Sequence, residues 1–353
     1  MLTYAAHSVD KIEFNPSEPI ARGIWISKFE RALENAVGAN HAVAVNSGTT
    51  AIYLAIRALG LTGKRIAVPS ITFCGTANAA ICAGATPVYA NVGLDGNISI
   101  NWLAFNSDKW DAALPVHYAG NLCDMQSIRA LAGSRPIVVD ACHALGADGL
   151  MKDADAVCFS FHPAKQVTTG EGGAVLTNDP AVKFRLQTLR HNGIGSVYDE
   201  KSGIRQNVWL APSLNYWMSD INAKIGCEQM EELQDRRAWR AALSWKYYDN
   251  LPSWCNPVVP ERLTSQCAWC MFSVLLENPP LERYALMRWL LTRGIETQIL
   301  YQPLHLQPMG GGNAGDLPGA EDFGARVLAL PLHNKMNEGD VMRVCDALKE
   351  LHG

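Results

Sequence analysis

Between residues 41 and 161 the chain alternates short uncharged runs with stretches of helical periodicity, and this alternation restricts its fold most. HAVAVN (41–46) reads as a buried strand and runs through Ser47-Gly48-Thr49-Thr50 into the helical pattern AIYLAIRAL. RIAVP (65–69) is a strand, TFCGTANAAICAG (72–84) a helix and TPVYANV (86–92) a strand again. DAALPVH (111–117) is followed by a helix from Asp124 to Ala132, and PIVV (136–139) ends in Asp140. Then ADAVCFSF (154–161) forms a further apolar strand, and another begins at Ala174. Such a sequence predicts parallel strands joined by crossover helices, with ligands at the strands' carboxyl ends. Ahead of it, SKFERALENAV (27–37) has helical spacing with Ser27 as N-cap.

A chain of 353 residues exceeds one simple core, so two domains are expected. Residues 1–218 would form the large domain. A long amphipathic helix over 219–250 would link it to a small α/β domain at 251–353, whose glycine run at 310–315 reads as a mobile loop. The net charge of −4 argues against nucleic acid or an anionic membrane as partner. Residues 66–94 carry no charged side chain, but Pro69, Gly75, Asn78, Gly84 and Pro87 break the run, so no membrane span is expected. The N-terminus lacks the basic-then-apolar profile of a secretory signal. Ten cysteines without a disulfide framework point to a reducing, cytoplasmic compartment. Cys267 and Cys270 form the one C-x-x-C, and a lone pair of this kind does not make a metal site.

The chemistry concentrates around FSFHPAKQVTTGEGGAVLTND (159–179), where a strand ends in a turn carrying Lys165. Taken alone, Lys165 is an ordinary surface lysine. Gly48 and its hydroxyl neighbours open a helix, which suits an anion as well as a plain cap. Phe73, past the 65–69 strand, is either core packing or the cover of a flat ring. Asp140 closes an apolar strand, where a carboxylate needs a partner or serves as a cap. Together they are the parts that pyridoxal 5'-phosphate requires: an anion cradle, a stacking face, a carboxylate for the ring nitrogen and an amine for the aldehyde.

With these residues in view, the chain resembles the DegT-type sugar-nucleotide aminotransferases, a branch of the fold-type I pyridoxal-phosphate enzymes. The matching pieces are NSGTTAIYLA (46–55), PSITFCGTANAA (69–80), VVDACHALGA (138–147), FSFHPAKQVTTGEGG (159–173), LNYWMSDINAKIG (214–226), YQPLHLQP (301–308) and LALPLHNKM (328–336). The resemblance implies an aspartate-aminotransferase-like fold, with a mostly parallel sheet and a smaller C-terminal α/β domain. It implies that Lys165 carries the cofactor and shuttles the proton, that Asp140 pairs the ring nitrogen, and that His143 lies near the ring's oxygen. Phe73 would stack on the ring, while Gly48, Thr49 and Ser160 would hold the phosphate. Asn215 would reach that phosphate from the neighbouring subunit of a homodimer with shared sites. Glu171 matches the family's TTGEGG turn, where structural support is its expected job.

The implied reaction transfers an amino group from L-glutamate to a nucleotide-linked keto-6-deoxysugar. PVHYAGNLCDM (115–125) and the His-Pro before Lys165 resemble the branch that aminates C4 of a UDP-4-keto-6-deoxy-N-acetylhexosamine on the way to pseudaminic acid. GDP-4-keto-6-deoxymannose is the alternative substrate. Sugar dehydration is a side branch in which the lysine is replaced, and this chain keeps Lys165. A non-catalytic protein on the same fold is the alternative of a different class. Three departures bear on the sugar pocket: the short segment 23–27, Trp217 where the family usually has Arg, and Leu300 where many members have His.

Overall fold

The computed structural model describes residues 1–4, 23–199, 203–261 and 266–352. Helix α1 (Ile24–Val37) leads into β1 (His41–Val45), α2 (Gly48–Ala58), β2 (Arg65–Pro69), α3 (Cys74–Cys82) and β3 (Thr86–Ala90). After α4 (Ile100–Phe105) come β4 (Ala112–Ala113), α5 (Met125–Ala132), β5 (Val138–Asp140), β6 (Ala156–Ser160) and β7 (Gly173–Thr177). Ladders order these strands β1-β7-β6-β5 and β3-β2-β4. Parallel bridges at Ala113–Ile137 and Val116–Asp140 join the two groups. The result is the expected mostly parallel sheet, with one exception. Strand β7 runs antiparallel to both β1 and β6. The cause is the connection before it: residues 161–172 form a turn, not the helical crossover that a parallel return requires.

Side chains alternate across this sheet with the period of two that a strand imposes. Ala42, Ala44, Val139, Val157, Phe159, Ala174 and Leu176 face one layer, where Phe29 and Leu33 of α1 and Ile128 of α5 pack. Val43, Val45, Val138, Ala156, Cys158 and Val175 face the other, beneath α2, α3 and the helix that follows β7. That helix is α6 (Pro180–Arg190), and a hairpin of β8 (Ile194–Asp199) and β9 (Ile204–Trp209) projects after it. Every residue of β9 is exposed.

Helices α7 (Asp220–Glu231) and α8 (Leu233–Asn250) occupy the stretch expected as one linker helix. They meet at Glu232, which ends the first and caps the second. The rest of the chain adds β10 (Cys255–Pro257), β11 (Phe272–Leu276), α9 (Arg283–Thr292), α10 (Pro318–Arg326), β12 (Val327–Leu330) and α11 (Glu338–Lys349). Its three strands form a small antiparallel sheet. Leu243 and Tyr247 of α8, Leu286 and Leu290 of α9, and Val341 and Val344 of α11 pack with it. The N-terminus joins this second core, since Leu2 bridges Ile295 and its N–H donates to Gly294 O.

Two boundaries moved most. The first helix starts at Ile24 with Gly23 as N-cap, not at Ser27, because Ile26 belongs to the apolar stripe with Phe29 and Leu33. The strand expected over 111–117 shortens to β4 and single bridges. Among the described residues no helix is long and apolar enough to cross a membrane. All ten cysteines are free thiols.

Candidate active site

Strand β5 delivers Asp140 to the carboxyl end of the sheet, where it is 5% exposed. Its Oδ2 accepts from Thr76 Oγ1 at 2.7 Å and its Oδ1 from the Cys142 N–H at 3.0 Å. Thr72 Oγ1 lies 2.9 Å from Thr76 Oγ1, so the β2–α3 turn contributes a hydroxyl pair behind the carboxylate. A buried carboxylate held by two donors has a fixed orientation and retains acceptor capacity for a ligand. From the same turn Phe73, which caps α3, stands 56% exposed over the opening.

The opposite side is the N-terminus of α2. Ser47 caps it by accepting from the Thr50 N–H at 3.1 Å. A Cβ on Gly48 would lie 2.6 Å from Ser160 Cβ, and one on Gly75 would lie 2.8 Å from Thr49 Oγ1. At Gly48 a side chain would press into the backbone of β6, and at Gly75 it would displace the Thr49 hydroxyl and the Phe73 ring. Thus the strand end of β6, the start of α2 and the start of α3 close on one another around a helix terminus that favours an anion.

Lys165 sits half-buried in the turn between β6 and β7. That turn is tied at its base, where Phe161 N donates to Gly172 O at 2.8 Å and Thr169 N to Phe161 O at 3.0 Å. Lys165 N itself donates to His162 O at 2.9 Å. The charge of Lys165 also reaches His143. Burial first, and that charge second, push the His143 imidazole well below its usual pKa, so the ring is neutral at neutral pH. Its buried Nδ1 finds no hydrogen-bond partner among the described residues. Its Nε2 lies 3.4 Å from Tyr301 Oη, with the two rings stacked 13° from parallel. Burial in turn pushes the Tyr301 phenol well above its usual pKa. The Tyr118 hydroxyl donates to Leu300 O and secures that wall.

These groups line one cleft of about 430 Å³, within the usual range for a cofactor-sized ligand. Gly48, Thr49, Phe73, Asp140, His143, Ser160 and Lys165 all border it, and so does Glu171. Asn215 does not. It is exposed beyond the hairpin, joined to His191 by a bridge, and its Oδ1 accepts from the Trp217 N–H at 3.4 Å. Of the three departures, only Leu300 lines the cleft. Trp217 lies over Arg190, its ring 3.7 Å from the guanidinium carbon, and its Nε1 donates to His191 Nδ1. Segment 23–27 is docked on α7, with Ile26 N donating to Asp220 Oδ1 at 3.0 Å.

Sequence reasoning missed Thr76, although a hydroxyl one turn into a helix beside an expected aspartate site was a usable signal. It also missed Tyr4, Cys270, Met271 and Gln298, which reach the cleft from the two ends of the chain. No local pattern announces such contacts. The residues present fit pyridoxal phosphate: a helix terminus packed closely against β6 at Gly48 for the phosphate, a buried oriented carboxylate, an exposed ring and a lysine share one cleft.

The family model described as the DegT/DnrJ/EryC1/StrS aminotransferase family matches residues 10–349. GDP-perosamine synthase of Caulobacter vibrioides is 33% identical over 343 residues, covering 93% of this chain and 90% of that protein. PseC of Helicobacter pylori, an aminotransferase involved in pseudoaminic acid biosynthesis, superposes with a TM-score of 0.88 at 26% identity, covering 99% of this chain and 98% of PseC. The putative sugar aminotransferase Spr1654 of Streptococcus pneumoniae in its PMP form shares the fold, with a TM-score of 0.89 at 23% identity over 99% of both chains.

Proposed function

The chain belongs to the DegT/DnrJ/EryC1/StrS aminotransferase family, and from that premise we propose that it moves an amino group from L-glutamate to C4 of a nucleotide-linked 4-keto-6-deoxyhexose. It is a pyridoxal-phosphate-dependent aminotransferase of the kind that acts on nucleotide sugars. The observation that supports the site assignment is the convergence of Lys165, Asp140 and His143 with the glycine-closed terminus of α2 in one cleft.

When bound, pyridoxal phosphate supplies an electron sink for the carbon that loses or gains the amine. Lys165 would anchor the group through Nζ, and the same atom would move the proton during amine transfer. Asp140, whose carboxylate Thr76 and the Cys142 N–H hold in one orientation, would keep a proton on the ring nitrogen. Neutral His143 offers a hydrogen bond without adding charge, and Tyr301 fixes its plane. The N–H groups at the start of α2, with Thr49 and Ser160, would hold the phosphate.

Two observations favour different nucleotides. His162, part of the His-Pro that resembles the pseudaminic-acid branch, borders the cleft and favours the UDP-linked N-acetylhexosamine. The 33% identity to GDP-perosamine synthase favours a GDP sugar. The 115–125 segment weighs less, since Val116 alone of it lines the cleft while His117 and Tyr118 are interior. In our reading the working unit is a homodimer whose sites are shared through Asn215. The exposure of Asn215 and of Trp209, Leu210 and Leu214 around it supports a covered face there.

The test is a spectrum of the purified protein with its cofactor. L-Glutamate should shift the absorbance to that of the aminated cofactor, and the correct 4-ketosugar should shift it back. Transfer to the GDP-linked and not the UDP-linked sugar would overturn the UDP reading and leave the C4 reaction intact. No shift with glutamate, beside a shift with another amino acid, would replace the donor.

A further inference from the structure

Gln166 follows Lys165 directly, and nothing above gives it a part. Its side chain is 1% exposed, and its Nε2 donates to two backbone carbonyls, His143 O at 3.0 Å and Ala268 O at 3.3 Å. One amide group thereby joins three segments distant in sequence: the lysine turn, the turn after β5 and the loop before β11. Each borders the cleft, the last through Cys270 and Met271.

The surroundings leave these carbonyls little freedom. A Cβ on Gly120 would stand 2.8 Å from His143 O and 3.0 Å from Trp269 N. Ala268 N donates to Gly120 O at 3.0 Å. Ala119 and Trp269 both hold left-handed backbone, at φ 58° and 53°. Loop 118–120, the His143 carbonyl and residues 268–269 therefore form one tight knot, and Gln166 closes it on the lysine side. Both donors lie in the plane of one amide, so pairing both carbonyls fixes their spacing as well as satisfying them.

We propose that Gln166 is a positioning residue that sets Lys165 against His143 by clamping the lysine turn to both carbonyls. The inference rests on the reading that Lys165 carries the cofactor. A side chain that merely filled space could be replaced by any other of its volume. A clamp needs its donors. Without them the turn relaxes from the knot and Lys165 loses its fixed place against His143.

Gln166→Met keeps the length and flexibility of the side chain and removes both donors. In the reconstituted holoenzyme the pH midpoint of the cofactor's absorbance change should move by about one unit from the wild-type value, because the lysine turn and His143 no longer hold their spacing. kcat should fall roughly ten- to a hundredfold with KM little changed, the pattern of misplaced reacting groups. Gln166→Asn retains an amide one methylene shorter, and its midpoint and kcat should fall between wild type and Gln166→Met. If Gln166→Met does not give soluble protein, the Asn variant decides alone. A soluble variant with an unchanged midpoint and kcat, and only a lower Tm, overturns the clamp. Borohydride reduction and peptide mapping of the wild type keep the two readings apart. Label on a lysine other than Lys165 would overturn the site assignment. Label on Lys165, with unmoved Gln166 variants, would overturn this inference alone.

Discussion

The floor of the cleft and the hairpin edge come from one chain yet treat their exposed and polar groups in opposite ways. At the floor, Asp140 has two donors, Gly48 and Gly75 are pressed against their neighbours, and Gln166 is paired twice. At the edge, Trp209 is 73% and Leu214 66% exposed, and Asn215 stands outside the cleft. A single chain thus organises the floor of the cleft by itself. The edge presents apolar surface of the kind that a second protein surface covers. The comparison separates what this chain organises alone from what we assign to a dimer.

The most severe way to probe the floor is Lys165→Ala. Turnover should drop to background, a loss on the order of 10⁴-fold or more in a glutamate-dependent assay, with the fold retained by circular dichroism. Residual turnover near the wild-type level would remove Lys165 from the chemistry. Asp140→Asn should come next, lowering kcat roughly 10²- to 10³-fold while borohydride still fixes the cofactor to Lys165. Equal loss of cofactor binding and kcat would instead make Asp140 a plain structural anchor.

At the edge, Trp209→Glu places a charge on the exposed face. If that face is the dimer contact, the dissociation constant should rise about thirtyfold, as for a loss of roughly 2 kcal/mol at an interface anchor. Analytical ultracentrifugation would reveal it, and an unchanged constant would move the interface elsewhere.

The smallest effect concerns the interior behind the floor. Burial lowers the His117 pKa from its ordinary 6.5 to about 3, and its Nδ1 accepts from the Cys123 N–H. The unfolded chain therefore takes up this proton first as pH falls. The neutral ring's contribution is complete above pH 6.5 and is lost progressively toward about pH 3. Within that window it should cost up to about 1.4 kcal/mol per pH unit. His143, also lowered by burial, acts in the same sense. Urea midpoints of His117→Gln should fall less steeply than wild type between pH 6.5 and 5, and equal slopes would contradict this account.

The floor was largely legible in the sequence because its signals are local. Asp140 closes a strand, Gly48 opens a helix and Lys165 sits in a turn, each beside an apolar run whose period names the element. Direction was less legible: β7 returns antiparallel because of the length of one turn, which the alternation of strands and helices does not encode. Helix ends were least so. Gly23 caps α1 without a side chain, and the break at Glu232 interrupts a stretch that stays amphipathic on both sides. Thr76 behind Asp140 had a signal in its helix-opening hydroxyl, whereas Cys270 and Met271 at the wall became visible only once the chain was folded.

The central claim, that a floor built by one chain is completed by the edge of another, is tested most directly by mixing subunits. Lys165→Ala and Asn215→Asp chains should each be nearly inactive alone. Co-refolded at equal amounts, half the dimers are hybrids, and in each hybrid one of the two pockets pairs a wild-type Lys165 with a wild-type Asn215. Activity should return to about a quarter of the wild-type value. If Asn215 serves its own chain, every pocket keeps a defect, and a mixture no more active than its parts would contradict the account.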